Sequence, residues 1–328
     1  MTGSAITGVG LATPSKTLTS AALEKTLGLA EGWIETRTGI ERRRIASETE
    51  SSCTLGTAAA RAALADAGIG PADVDYVIAA TVTPDFRLPA TASLLQTALE
   101  CNAAAAFDLN AGCSGFLCGL AQADALVRAG SARNVLVVGV ELLSRITDFT
   151  DPKTGIIFGD GAGAAVIGRS ESAALGPFAL RSDGSKPDLL MASRDGGKVV
   201  MAGREVYRRA VHEMTESIRD VTRAAGIGLD EVDLVVPHQA NGRILEAIAD
   251  RLGTPRDKLF SNIARYGNTS AASIPMALAE AQEQGALRDG DLVVLAAFGA
   301  GFVWGAGIVR WGAHRGTAPA TAEVVARA

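Results

Sequence analysis

Histidine is the scarcest reactive side chain in this sequence, with three in 328 residues: His212, His238 and His314. Cysteine is nearly as rare (Cys53, Cys101, Cys113, Cys118), and no two are spaced C-x-x-C. That excludes the common zinc frameworks, and four scattered thiols in so long a chain do not make a disulfide scaffold. An excess of positive charge is also missing. Thirty-one Lys and Arg face 36 Asp and Glu, for a formal net charge of -5 and a pI near 5.4, which argues against a nucleic-acid binder. The N-terminus lacks a basic segment followed by an apolar run, so no signal peptide is expected. Leu292 to Val309 carries no charge, but Gly299, Gly301, Gly305 and Gly307 interrupt it. It reads as two buried strands around a Gly-rich turn rather than a membrane span. Nucleotide signatures are absent too: Gly159 to Gly163 is spaced G-x-G-x-G, neither a P-loop nor a dinucleotide fingerprint, and Ser114 is not in a G-x-S-x-G elbow. The expectation is a soluble cytoplasmic protein with no metal, nucleic acid or membrane.

What is present is a chain 48% hydrophobic and 20% charged, rich in Ala and Gly. That profile fits a compact α/β protein, and the length allows about two domains. Ala5 to Gly10 reads as a first strand. Ser51 to Ala67 has helical spacing and stops at Gly68, and Val74 to Thr81 is an apolar strand. Asn134 to Glu141 is a continuous Val-rich run, the mark of a strand buried on both faces in a parallel sheet.

The second half repeats the first. Ala67-Gly68-Ile69-Gly70 and Val74-Asp75-Tyr76-Val77-Ile78 reappear as Ala225-Gly226-Ile227-Gly228 and Val232-Asp233-Leu234-Val235-Val236, 158 positions on. Asn134 to Val138 reappears as Asp291 to Leu295 at almost the same offset. Two copies of one α/β unit therefore account for most of the chain. The expected halves are residues 1–168 and 169–313, with a disordered tail over 314–328.

Within the first copy, Ala103 to Phe107 leads through Asp108 and Asn110 to Cys113, and helical spacing starts soon after at Phe116, Leu117 and Leu120. A thiol at a helix N-terminus is expected to have a lowered pKa and to act as a nucleophile. The alternative is a buried structural cysteine. The repeat maps this turn onto Tyr266-Gly267-Asn268-Thr269-Ser270-Ala271, while His238 closes the strand before Gln239. Strand ends in parallel α/β sheets share one edge, where reactive groups collect. Cys53 and Cys118 lie on helical patterns and Cys101 just past one, and none has a His or Asn placed by the repeat. Cys, His and Asn together support two chemistries. A hydrolase would use the His as base and the Asn to orient it. A condensing enzyme would hold an acyl group on the Cys while His and Asn stabilise an oxyanion.

The motifs resemble those of the β-ketoacyl-acyl carrier protein synthase III family from about residue 5 to residue 311. They are Trp33 to Ile40, the Cys113 segment, Phe158 to Ala164, Pro237 to Asn241, Gly267 to Ser273 and Phe298 to Gly305. The resemblance implies a thiolase-like fold of two duplicated α/β halves packed in αβαβα layers, assembled as a homodimer. It implies that Cys113 is acylated and that His238 and Asn268 promote decarboxylation of a malonyl thioester and condensation. The backbone amides of Cys113 and Ala300 would form the oxyanion hole. Trp33 and Arg37 would grip coenzyme A, Arg243 would meet the carrier protein or cofactor phosphates, and Leu88 would line the acyl pocket. Substrates would be acyl-CoA with malonyl-CoA or malonyl-acyl carrier protein, without any further cofactor, in fatty-acid or polyketide biosynthesis. Ala300 stands where the family usually has Gly, and Pro152-Lys153 where an Arg often helps bind coenzyme A. The alternatives on these residues are acyl transfer to oxygen or nitrogen, a Cys-His-Asn thioesterase, and a silent carrier-binding scaffold. Between Asn241 and Arg265, Arg243, Arg251, Arg256, Lys258 and Arg265 outnumber Glu246, Asp250 and Asp257. This stretch reads as a surface for an acidic carrier, or else as a solvated helix face.

Overall fold

The computed structural model describes residues 3–171, 174–193 and 196–312; the expected tail lies outside them. The chain runs β1 (Gly3–Ala12), β2 (Lys16–Thr19), α1 (Ser20–Leu27), α2 (Trp33–Thr38), β3 (Arg42–Ile45), α3 (Ser52–Ala67), β4 (Tyr76–Ala80), α4 (Thr91–Leu99), β5 (Ala105–Leu109), α5 (Gly115–Arg128), β6 (Asn134–Leu142) and β7 (Asp160–Ser170). It continues through β8 (Leu175–Ser182), short β9 (Leu190–Met191) and β10 (Val200–Met201), α6 (Gly203–Ala225), β11 (Leu234–Pro237), α7 (Gly242–Leu252), α8 (Ile263–Tyr266), α9 (Ser273–Glu283), β12 (Leu292–Gly299) and β13 (Val303–Arg310).

Local chemistry sets these boundaries. Ser51 and Thr54 form a reciprocal capping box at the start of α3, and Gly68 ends that helix with φ 67°. The uncharged stretch after Asp291 is a hairpin, β12 paired antiparallel with β13, and among the described residues no helix is long and apolar enough to cross a membrane.

One sheet has the order β1-β7-β6-β4-β5, the other β8-β13-β12-β11. In the first, β5, β4 and β6 run parallel while β7 is antiparallel to both β6 and β1; in the second, β11 and β12 run parallel while β13 is antiparallel to both β12 and β8. The Val-rich β6 thus sits in a mixed sheet, parallel to β4 but antiparallel to β7, rather than in the all-parallel sheet its composition implies. The repeat holds in three dimensions. Tyr76 and Leu234 open equivalent strands, and Gly115 and Ser273 open equivalent helices, each pair 158 positions apart. The counterpart of β5 has shrunk to one parallel bridge between Val235 and Leu259.

Side-chain alternation along the strands builds the layers. On β6, Val135 and Val137 face a central core, while Leu136, Val138 and Val140 face an outer one. On β12, Val293, Leu295 and Ala297 join the same central core, and Val294, Ala296 and Phe298 face the opposite side. Phe116 and Leu120 of α5 and Ile274 and Leu278 of α9 fill the space between the sheets. Helices α3 and α4 cover the first sheet and α6 and α7 the second, which completes an αβαβα stack, the thiolase fold. Truncating fully buried Phe116 to Ala would cost about 3–5 kcal/mol. Because α5 and α9 start from this shared layer, the turns that precede them are held on rigid supports.

Candidate active site

Cys113 sits between β5 and α5. The turn is closed by Ser114 N–H to Ala111 O (3.2 Å) and Gly115 N–H to Gly112 O (3.0 Å). Asp108 does not simply end the strand: its carboxylate caps α4 by accepting from the N–H groups of Thr91 and Ala92, both at 2.8 Å. The Cys113 turn packs against the β12–β13 turn because two glycines allow it. A methyl on Gly112 would come within 2.9 Å of the Ala300 nitrogen, and one on Gly299 within 2.6 Å of the Cys113 nitrogen. Ser114 Oγ donates to Val303 O at 2.7 Å and pins the two turns together. The main-chain nitrogens of Cys113 and Ala300 are thereby brought to one place.

His238 follows β11 and stays in register through its N–H to Ala296 O, 2.7 Å. Its side chain is 1% exposed, and Nδ1 is buried without a hydrogen-bond partner among the described residues. Burial holds the imidazole down to about 3, so it is neutral at any working pH. Asn268 lies between α8 and α9. Its N–H donates to Ile157 O and its carbonyl accepts from Gly159 N–H, both at 3.0 Å. That bridge docks the second half's turn onto the Phe158-Gly159 segment of the first. Fully buried Arg43, on β3, braces the same segment by donating to Ile156 O at 2.7 Å. The Asn268 side chain accepts from Ser270 N–H (2.8 Å) and lies 3.5 Å from Ala240 O.

Cys113, His238, Asn268 and Ala300 all line one cavity of about 1180 Å³. Its walls include Leu143, Phe158 and Val199, which form an apolar cluster with Ile146, Ile157 and Leu190. Cys113 differs from the sequence expectation. Burial pushes its thiol up to about 11, a side-chain hydrogen bond with Ser270 works the other way, and the Glu141 carboxylate adds to the rise. The resting site therefore holds a neutral thiol beside a neutral imidazole.

Comparison with known proteins decides the family. The model for 3-oxoacyl-[acyl-carrier-protein] synthase III matches residues 107–184, and that for its C-terminal region matches 222–311. The β-ketoacyl-[acyl-carrier-protein] synthase III of Roseiflexus castenholzii is 47% identical, covering 94% of this chain and 98% of the relative. The crystal structure of the Aquifex aeolicus synthase III superposes with a TM-score of 0.92 at 45% identity, covering 94% of this chain and all of that one. A priming β-ketosynthase from the R1128 polyketide pathway superposes at 0.90 with 36% identity, covering 94% and 96%. This chain belongs to the β-ketoacyl-acyl carrier protein synthase III family. It is accordingly a condensing enzyme of the transferase class.

Seen as a ketoacyl synthase III, the chain gathers most of the residues singled out from sequence. Arg37 stacks on Trp33, 4.0 Å from the ring centre, and Arg243 donates to Thr36 O at 3.1 Å, so these three form one group on α2 and α7. Lys153 lines the main cavity and also a groove that carries Arg204, Arg208 and Arg251. Leu88 is 86% exposed and is not among the residues that line this chain's own cavity. The basic stretch is also smaller than its letters imply. Arg256 pairs with Asp250 and Arg265 with Glu280, at 3.0 and 2.8 Å, and Lys258 is spent on carbonyls of Asp230 and Val232. Among the described residues no cluster of three His, Cys, Asp or Glu is placed to hold a metal. Two residues went unnoticed in the sequence, Glu141 and Ser270. The available signal was an acid inside an otherwise apolar strand.

Proposed function

We propose that the chain joins an acyl thioester to a malonyl thioester by decarboxylative Claisen condensation, in fatty-acid or polyketide biosynthesis. Cys113 attacks the acyl thioester and the carrier thiol leaves. The malonyl thioester then enters, its carboxylate departs as carbon dioxide, and the resulting enolate oxygen takes hydrogen bonds from His238 and Asn268. The enolate carbon attacks the acyl-Cys113 carbonyl, whose oxygen rests on the N–H groups of Cys113 and Ala300 until the thiolate is expelled. No metal or redox cofactor enters this sequence of steps.

The observation that carries the reading is the wiring of His238. A hydrolytic Cys-His-Asn site needs a basic imidazole oriented through Nδ1, whereas His238 Nδ1 has no partner among the described residues and burial holds the ring down to about 3, a weak base. Asn268 is bonded to Ser270 and Ala240 rather than to His238. A neutral imidazole and an amide suit donation to an enolate.

Trp33, Arg37 and Arg243 are read as the coenzyme A grip, and Lys153 as the cation that stands in for an arginine. The partners are an acyl carrier protein and a second copy of the chain. The exposed Phe86, Leu88 and Phe107, close to edge strand β5, support a homodimer built along that edge, and its setting is the cytoplasm. Each half carries part of the site, in line with a division near residue 168.

The test is intact-mass measurement with acyl-CoA. An adduct on Cys113 that turns over only when a malonyl thioester is added supports condensation. Turnover by water alone would identify a thioesterase, turnover by an added alcohol or amine an oxygen or nitrogen acyltransferase, and no adduct a scaffold.

A further inference from the structure

Glu141 is a fully buried acid that the steps above do not use. Alternation along β6 puts it on the central-layer face, two residues past Gly139, where a methyl would come within 2.3 Å of Ala271 O. That close approach brings the turn carrying Asn268 against the end of β6. Five donors converge on the carboxylate. Oε2 accepts from Thr83 Oγ1 (2.7 Å), Val82 N–H (3.1 Å) and Thr81 Oγ1 (3.4 Å), and Oε1 accepts from Ser270 Oγ (3.0 Å), with Ala271 N–H as the fifth. Ser270 is 3% exposed, is held at φ 49°, and its hydroxyl also bonds the Cys113 thiol. A non-glycine residue in that conformation persists only where its surroundings impose it.

We propose that Glu141 is a positioning residue that acts through Ser270 as the proton acceptor for Cys113 during acylation. This rests on the reading of Cys113 as the nucleophile. In the resting arrangement the thiol donates to Ser270 Oγ and Ser270 donates to the ionised Glu141. On attack, the thiol proton passes to Ser270 Oγ and the Ser270 proton passes to Oε1. The product is a thiolate, an intact serine and a neutral carboxylic acid. The charge moves from oxygen to sulfur, so two anions never share the buried site. The thiolate forms the new thioester bond as the carrier thiolate leaves, and the proton returns through Ser270 to that thiolate.

The neighbours leave Glu141 free for this exchange. Asp85 pairs with Arg145, Asp160 of β7 is taken up by Ser144 and Ala46 N–H, and the turn from Asn268 to Ala271 is uncharged. Cys113 and His238 line the same cavity, together with Asp85, Arg87, Asp108, Arg145, Lys153 and Tyr207. Burial raises Glu141 to about 7, far nearer the thiol than His238 at about 3.

The test is the acylation rate of Cys113 against pH in the full-length protein, read by intact mass, with malonyl decarboxylation measured in parallel. Wild type should show a rate that rises through an inflection near pH 7, because only ionised Glu141 accepts a proton. Glu141→Gln should lose that inflection and acylate at least tenfold more slowly at pH 7.5, and Ser270→Ala should do the same with the carboxylate intact. Decarboxylation in wild type should stay flat over this range. Should Glu141→Gln fail to fold, Glu141→Asp should acylate more slowly yet keep the inflection. An unchanged profile in Glu141→Gln or Ser270→Ala, or loss of the inflection in Glu141→Asp, overturns the proposal. Absence of any adduct in wild type instead removes the reading of Cys113 itself.

Discussion

The main-chain N–H of Ser270 donates a 2.8 Å hydrogen bond to Oδ1 of Asn268, and this fixes which end of the amide is left to donate. With the oxygen occupied, the NH2 group of this cavity-lining residue is left with a long 3.5 Å contact to Ala240 O. Asn268→Asp preserves the shape and the bond from Ser270 but offers no donor, and it adds charge where the enolate forms. Loss of one such donor costs about 10²–10³ in rate. Malonyl decarboxylation, followed by carbon dioxide release, should fall by that order while the Cys113 adduct still forms. Equal loss of both would contradict the role given to Asn268.

Gly112 lies at φ 55°, and a methyl there meets both the nitrogen and the oxygen of Ala300, at 2.9 and 3.1 Å. Gly112→Ala should destabilise the fold by about 1–3 kcal/mol through backbone strain and should also push apart the two N–H groups proposed as the oxyanion hole. Gly28→Ala supplies the control, because Gly28 has φ 65° but nothing within 4 Å of the added methyl. Thermal unfolding should drop in both variants, and acylation should drop only in Gly112→Ala. If the two variants acylate equally well, the close approach of these turns has no catalytic consequence.

Much of this was legible before any coordinates. The repeat mapped the Cys113 turn onto the polar turn that carries Asn268, because duplicated units conserve spacing even where letters differ. The loss of the second copy's fifth strand was not legible, since a single bridge at Leu259 leaves no apolar run. One expectation failed for a plain physical reason. The helix start at Cys113 argued for a lowered thiol pKa, but desolvation by the surrounding layers outweighs a local dipole. Glu141 was hidden because its meaning depends on donors from Thr83 and Ser270, which lie 58 and 129 positions away. The basic stretch misled because Glu280, on another helix, neutralises Arg265.

His238 and Glu141 push stability in opposite directions with pH. The folded state holds His238 near 3, against an ordinary value of 6.5. As pH falls below 6.5 the unfolded chain therefore binds more protons, and stability declines. Glu141 is raised from 4.5 to about 7, so its contribution is full below 4.5 and is lost as pH rises through 7. Urea unfolding between pH 4.5 and 8 separates the two. His238→Gln should flatten the acid limb below pH 6.5, and Glu141→Gln should remove the decline between 4.5 and 7. A wild-type slope retained by either variant would mean that group is not buried as described.

The cationic groove beside the cavity mouth gives the last prediction. Lys153, Arg204, Arg208 and Arg251 line it with one acid, Glu205, which pairs with Arg208 at 2.6 Å, and Lys153, Met201 and Tyr207 are shared with the main cavity. A carrier protein that delivers a thioester to Cys113 must dock where its arm can reach the cavity, and acidic carriers are steered by such a rim. Arg243 stands by α2, while Arg256 and Arg265 are already paired, so charge reversal should act most strongly at Arg243 and Arg251. Arg243→Glu combined with Arg251→Glu should lower kcat/KM for malonyl-acyl carrier protein by about tenfold or more and flatten its salt dependence. Turnover with Cys113 loaded from a short acyl-CoA and malonyl-CoA as the second substrate should change far less. Equal losses on both malonyl donors would assign these arginines to coenzyme A alone, and no loss on either would return the patch to an ordinary solvated surface.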